Sequence, residues 1–157
     1  MIPHDSLCRA VDAQIRALAD TVDATDTADL TVAVPTCPGW DVQAVVKHVG
    51  VIHRWAGQMI RDDLGERLDF RDVEDRAPVE GESWADWLRR GGDALGAQLR
   101  GRAPETPVWT WGPGRNVAWW ARRLTHETFV HRADVVLALG DDPDYAPELA
   151  VDGIDEL

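Results

Sequence analysis

Glu127 and His131 stand four residues apart in a run whose inward positions, Val117, Trp120, Ala121, Leu124, Thr128, Val135 and Leu139, recur at helical spacing. Residues at i and i+4 lie one above the other on a helix, so this spacing aims a carboxylate and an imidazole in one inward direction. A carboxylate taken out of water needs a partner. Two arrangements supply one: a hydrogen-bonded pair that fixes how two helices pack, or a divalent metal shared with a ligand from a facing helix. A catalytic metal commonly takes three protein groups and keeps one position open, so the second arrangement requires a third donor. His48 and His53 are on offer. At 100° per residue His53 falls near the centre of the apolar stripe of its helix and His48 on the flank, beside Val51 and Trp55. Wheel geometry alone favours His53; otherwise it is a core histidine bonded to backbone or to a carboxylate.

Other polar residues nearby carry two readings each. Asp134, three residues after His131, is placed either to accept a hydrogen bond from a ligand imidazole or simply to face solvent. Arg122, Arg123 and Arg132 can recognise a carboxylate substrate or merely balance charge. His126 falls opposite Leu124 and reads as a surface residue. Cys37 lies near a helix N-terminus, where a thiol becomes more acidic, although a small buried cysteine is ordinarily inert. Of the eight tryptophans, Trp40, Trp84, Trp87 and Trp120 read as core, and Trp109 and Trp111 as a turn that can border a site entrance.

The elements that position these groups follow from apolar periodicity. Leu7, Val11, Ile15, Leu18 and Val22 define a first helix. The turn Thr36-Cys37-Pro38-Gly39-Trp40-Asp41 leads into a second helix, capped by Asp41, whose stripe runs from Val42 to about Arg61. Asp62 to Glu80 is a charged loop with at most a short helical turn. Ser83 and Asp86 resemble a capping box for a third helix carrying Trp84, Trp87, Leu88, Leu95 and Leu99, which Gly101 and Pro104 end. After the aromatic turn Val108 to Gly114, a fourth helix begins near Asn116. With no segment of strand period, the chain reads as an all-α four-helix bundle over residues 1–140. Residues 141–157 read as an acidic linker or the start of a further C-terminal segment, with an apolar stub of Leu149, Val151, Ile154 and Leu157.

A formal net charge of −12 argues against nucleic acid as a partner, because phosphate is bound through many Lys and Arg contacts. No apolar run approaches a membrane span, and the N-terminus lacks the basic and apolar regions of a signal peptide. With only Cys8 and Cys37 available there is no disulfide framework, and the cytoplasm is the expected compartment.

Several segments together resemble the mycothiol-dependent maleylpyruvate isomerase family: Cys37-Pro38-Gly39-Trp40-Asp41-Val42, His48 eight residues after Trp40, Trp109-Thr110-Trp111-Gly112-Pro113, and the run from Arg122 to Asp134 around Glu127 and His131. The resemblance spans about Leu7 to Leu139. It implies a DinB-like bundle as the family's N-terminal domain, and a metal site of His48, Glu127 and His131, choosing His48 over His53. It further implies zinc as the divalent metal, mycothiol as thiol cosubstrate, and a small electrophile that is isomerised from cis to trans or takes up the thiol. Family enzymes of the isomerase type carry a C-terminal domain that helps form the substrate cleft, whereas this sequence stops at Leu157. Either a C-terminal domain is missing or the protein is a minimal version with altered activity; a homodimer is the other partner expected. Two alternatives stand beside the enzyme: a non-catalytic metal-binding or protein-interaction bundle, and a bundle whose inward polar residues only specify packing.

Overall fold

The computed structural model describes residues 2–144 and 146–156. Among the described residues there are five α-helices: α1 His4–Asp23, α2 Val42–Arg61, α3 Trp84–Gly101, α4 Val117–Ala138 and α5 Pro147–Glu156. Two short 3-10 turns, Asp29–Thr31 and Phe70–Asp72, lie in the connections. Among the described residues there is no strand, only the isolated bridges Ala33 to Asp41 and Pro107 to Asn116. The protein is an all-α bundle of four long helices with a short fifth added.

The packing order differs from the chain order. α1 rests on α3 and α4, and α2 rests on the same two helices, so α1 and α2 face each other diagonally across the bundle. Leu7, Val11 and Ile15 of α1 meet Trp55, Met59, Leu99, Trp120 and Leu124 in one half of the core. Leu18 and Val22 meet Val45, Val49, Trp87, Leu88 and Val135 in the other. Each such side chain contributes about 1.5–3 kcal/mol when fully buried. Gly50 lets α2 and α3 approach closely, because a β-carbon there would overlap the Trp87 ring.

The helices that carry the polar residues of interest, α2 and α4, are launched by the same device. Before α2, Trp40 N–H donates to Cys37 C=O across Pro38-Gly39, with Gly39 at φ +84°, the second central position of a type II turn. The bridge Ala33 to Asp41 closes that loop, and the Asp41 carboxylate accepts from Ala44 N–H at 2.8 Å. Before α4, the bridge Pro107 to Asn116 closes the aromatic turn, and Asn116 accepts from Trp119 N–H at 2.9 Å. Both starts are pinned twice, once by a bridge and once by a cap.

α5 corrects one reading. His126 is buried, not exposed: its Nε2 lies 2.9 Å from Asp152 Oδ2, and Arg122 Nε donates to the same oxygen at 2.8 Å. The helix wheel found no cover for that face because the cover comes from α5, whose Leu149 and Asp152 are the buried residues. Val151 and Ile154 remain exposed, and Leu157 of the apolar stub lies outside the described residues.

Candidate metal centre

Where α2 crosses α4, two imidazoles and a carboxylate converge. His48 Nε2 lies 3.0 Å from Glu127 Oε1, and His131 Nε2 lies 3.4 Å from the same oxygen. The two rings stand edge to face, 4.9 Å between centroids. One ligand atom from each residue fits within 4.8 Å of the others. Donors bound at about 2.0–2.2 Å in a tetrahedron sit about 3.3–3.6 Å apart, so this spacing suits a small divalent cation with little rearrangement. The three side chains are 29%, 21% and 17% exposed, withdrawn from bulk water yet reachable from it.

Around this centre each group has a supporting partner. Arg123 donates to the outer oxygen Glu127 Oε2 at 3.3 Å and pairs with Glu156 of α5 at 2.8 Å, so Oε1 is the oxygen left facing the imidazoles. His131 Nδ1 lies 2.9 Å from Asp134 Oδ2. Cys37 Sγ donates to that same oxygen at 3.5 Å. The Trp40 ring sits 5.0 Å from that of His48. A hollow beside His48 is lined by Trp40, Lys47, Val51, Ile52 and Phe70, an apolar wall with one ammonium group.

Charge is unevenly distributed here. Burial alone raises the Glu127 carboxyl, but hydrogen bonds from His131 and His48 and the charges of His131 and Arg123 outweigh it and hold Glu127 well below the usual carboxylate range. Burial lowers His131, yet its two carboxylate partners, Glu127 and Asp134, overcome that and raise it. With a carboxylate at each nitrogen, the ring is stabilised as an imidazolium, which occupies in charge the place a metal cation would take. Burial, with Asp134 adding to it, pushes the Cys37 thiol up, so this cysteine stays protonated instead of becoming reactive.

Other sequence expectations meet the structure differently. His53 lies in the core, 1% exposed, with Nε2 2.8 Å from Thr128 Oγ1. Because Thr128 spends its own proton on Leu124 C=O, His53 must donate from Nε2, and burial holds the ring neutral with a pKa of about 3. It is the core histidine of the two sequence readings, bonded to a hydroxyl. Arg122 pairs with the buried Asp152, Arg132 with the exposed Asp144, and Arg123 is shared between Glu127 and Glu156, so each is already engaged by a carboxylate of the chain. Trp40, read as core, is 38% exposed and forms a wall of the site. Trp111 stacks on Trp55, on whose ring Phe70 also stacks, instead of reaching the three donors. Cys37 and Asp134 form a second donor group with His131. The role of Trp40 and the link from Glu156 through Arg123 left no sequence signal, since both depend on contacts between distant segments.

Residues 11–136 match the family model described as Mycothiol maleylpyruvate isomerase N-terminal domain, and the chain belongs to that family. No curated protein and no solved structure matches the chain.

Proposed function

We propose, with that family membership as premise, that His48, Glu127 and His131 hold a divalent metal, zinc by its preference for this nitrogen and oxygen donor set, and that the domain turns a low-molecular-weight thiol on a small electrophile. Mycothiol, or a thiol like it, is the proposed cosubstrate, and cis–trans isomerisation or S-transfer the proposed outcome. The convergence of three donors from two helices, half-buried beside an apolar hollow, is the observation that carries this reading. Bound there, the metal would supply Lewis acidity, which would lower the pKa of a thiol.

The chain's own residues do the rest. Glu127 stays ionised across the physiological range and offers Oε1, since Arg123 occupies Oε2. His48 and His131 approach from different helices, so the open side of the group is set by how α2 and α4 pack. Trp40, Val51 and Phe70 present an apolar wall beside His48, suited to exclude water around an unsaturated electrophile, while Lys47 offers one charge at its rim. We assign the activity to the reducing cytoplasm, where a free thiol cosubstrate and two unpaired cysteines are stable.

One observation favours a second reading. Without a metal the three side chains already contact one another, Glu127 Oε1 lying within reach of both imidazoles, which would serve packing alone. Elemental analysis of the purified protein beside His48→Ala and His53→Ala separates the two. About one zinc per chain, lost only with His48, supports the thiol-activating site and leads to assays of electrophiles with and without mycothiol. No metal in any of the three, even after reconstitution, favours the packing or interaction bundle.

A further inference from the structure

We propose that Asp134 is a positioning residue that keeps the proton of His131 on Nδ1 and so turns the Nε2 lone pair toward His48 and Glu127, and that Cys37 in turn holds Asp134 by donating its S–H to the same carboxylate oxygen. The inference rests on the metal reading above for its purpose, but on separate contacts for its evidence. Of the two carboxylates that flank the His131 ring, Asp134 is the nearer: Nδ1 to Oδ2 is 2.9 Å, whereas Nε2 to Glu127 Oε1 is 3.4 Å. An ionised carboxylate only accepts, and a neutral imidazole carries one N–H, so the shorter contact decides which nitrogen keeps the proton when the other gives its up.

Asp134 is itself buried, at 8% exposure, and sits one turn beyond His131 on the same helix, so the contact is built into α4. The second donor to its Oδ2 comes from outside the helix. Cys37 belongs to the turn before α2, where its N–H donates to Val34 C=O and its C=O accepts from Trp40 N–H, both at 3.0 Å. That turn thus touches both imidazoles: Trp40 lies against the His48 ring, and Cys37 reaches His131 through Asp134. A cysteine with no redox or nucleophilic task is explained as the far end of this chain of contacts. Partners that orient a ligand histidine typically matter 10–100-fold for metal affinity.

The first test needs no metal. Nitrogen-15 NMR of the imidazoles in the chelated protein, recorded above the titration of the ring, should show His131 as the Nδ1–H form in the wild type and shifted toward Nε2–H in Asp134→Ala. A wild-type ring already in the Nε2–H form, or one indifferent to Asp134→Ala, overturns the proposal. The second test is zinc affinity by competition with a chromophoric chelator. Asp134→Ala should bind about 10–100-fold more weakly, and Asp134→Asn, which keeps a carbonyl acceptor, should recover part of the loss. Equal affinity in all three overturns it. If Asp134→Ala does not fold, as judged by its metal-free melting curve, Asp134→Asn and the NMR of the wild type carry the test. Cys37→Ala removes the donor and should weaken zinc binding about threefold, the worth of one weak hydrogen bond, whereas Cys37→Ser keeps a donor and should recover it; wild-type affinity in Cys37→Ala overturns the part assigned to Cys37. An intense sulfur-to-cobalt charge-transfer band in the Co(II)-loaded wild type, abolished in Cys37→Ser, would make Cys37 a ligand and refute its positioning role. A wild type that binds no zinc, yet shows the Asp134-dependent tautomer, sinks the metal reading and leaves the proton assignment standing.

Discussion

α4 presents a histidine–carboxylate contact on each of two neighbouring faces. His126 meets Asp152 at 2.9 Å and His131 meets Glu127 at 3.4 Å, both in surroundings largely removed from water. The two differ in how their charge closes. Asp152 is 7% exposed and takes Arg122 and His126 on one oxygen, so the cluster is complete and covered by α5. Around Glu127 two imidazoles approach the same oxygen, Asp134 stands behind one of them, and a hollow lies beside His48. The closed cluster joins two helices; the open one gathers donors with room for something else. Similar residue pairs on a single helix therefore take different uses according to what another helix brings to them.

The largest expected contrast is in metal content. His131→Ala or Glu127→Ala should reduce zinc from about one per chain to near zero while the far-ultraviolet helix signal persists, and Asp152→Ala should leave it unchanged, all read by elemental analysis. Retained stoichiometric zinc in His131→Ala would erase the distinction between the two faces. Next is stability, where the order reverses. Asp152→Ala strands Arg122 and His126 without their carboxylate and should cost about 3 kcal/mol in denaturant unfolding, with the loss centred on the docking of α5. A loss below about 0.5 kcal/mol would show that α5 is held by something else.

pH sharpens the comparison further. Burial raises Asp152, but hydrogen bonds from Arg122 and His126 win and lower it, so its contribution is full above about pH 4 and disappears as pH falls through the folded value. His131 is raised, so its contribution is full below about pH 6.5 and disappears as pH rises through the folded value. Melting curves of the chelated protein should thus weaken at both ends of the pH range. Asp152→Asn should flatten the acid limb and His131→Ala the alkaline one; an alkaline limb that survives His131→Ala would contradict the imidazolium assignment. Smallest at neutral pH is the effect of His53. Its ring is neutral in the fold down to about pH 3 and protonates near pH 6.5 when unfolded, so it withdraws stability only as pH falls below that value. His53→Gln should lessen that acid sensitivity without changing zinc content.

The four long helices were readable in the sequence because each carries its apolar residues at helical spacing, and three of them start from side-chain caps, Asp41, Ser83 and Asn116, whereas α5 lies in the stretch read as an acidic linker or the start of a further segment. Two of the three convergent donors were readable as well, since i and i+4 on one helix is a local relation. The third was not. Wheel geometry favoured His53, and correctly placed it in the stripe centre, but a stripe centre is where a residue is sealed from solvent. A donor to a reachable site belongs on the flank, where His48 stands, and only the family resemblance selected it. His126 was misread for the opposite reason, because the wheel of α4 holds no information about α5.

What the sequence by itself determined was the all-α class, the helix starts and the inward pairing of Glu127 with His131, each a matter of spacing within a dozen residues. Tertiary structure alone decided that His48 meets Glu127, that Cys37 reaches Asp134 behind His131, that Trp40 walls the site and that Arg123 ties Glu127 to Glu156. Those contacts join segments far apart in the chain, and their geometry depends on how the helices rotate against one another, which side-chain packing across the whole core sets and no local pattern records.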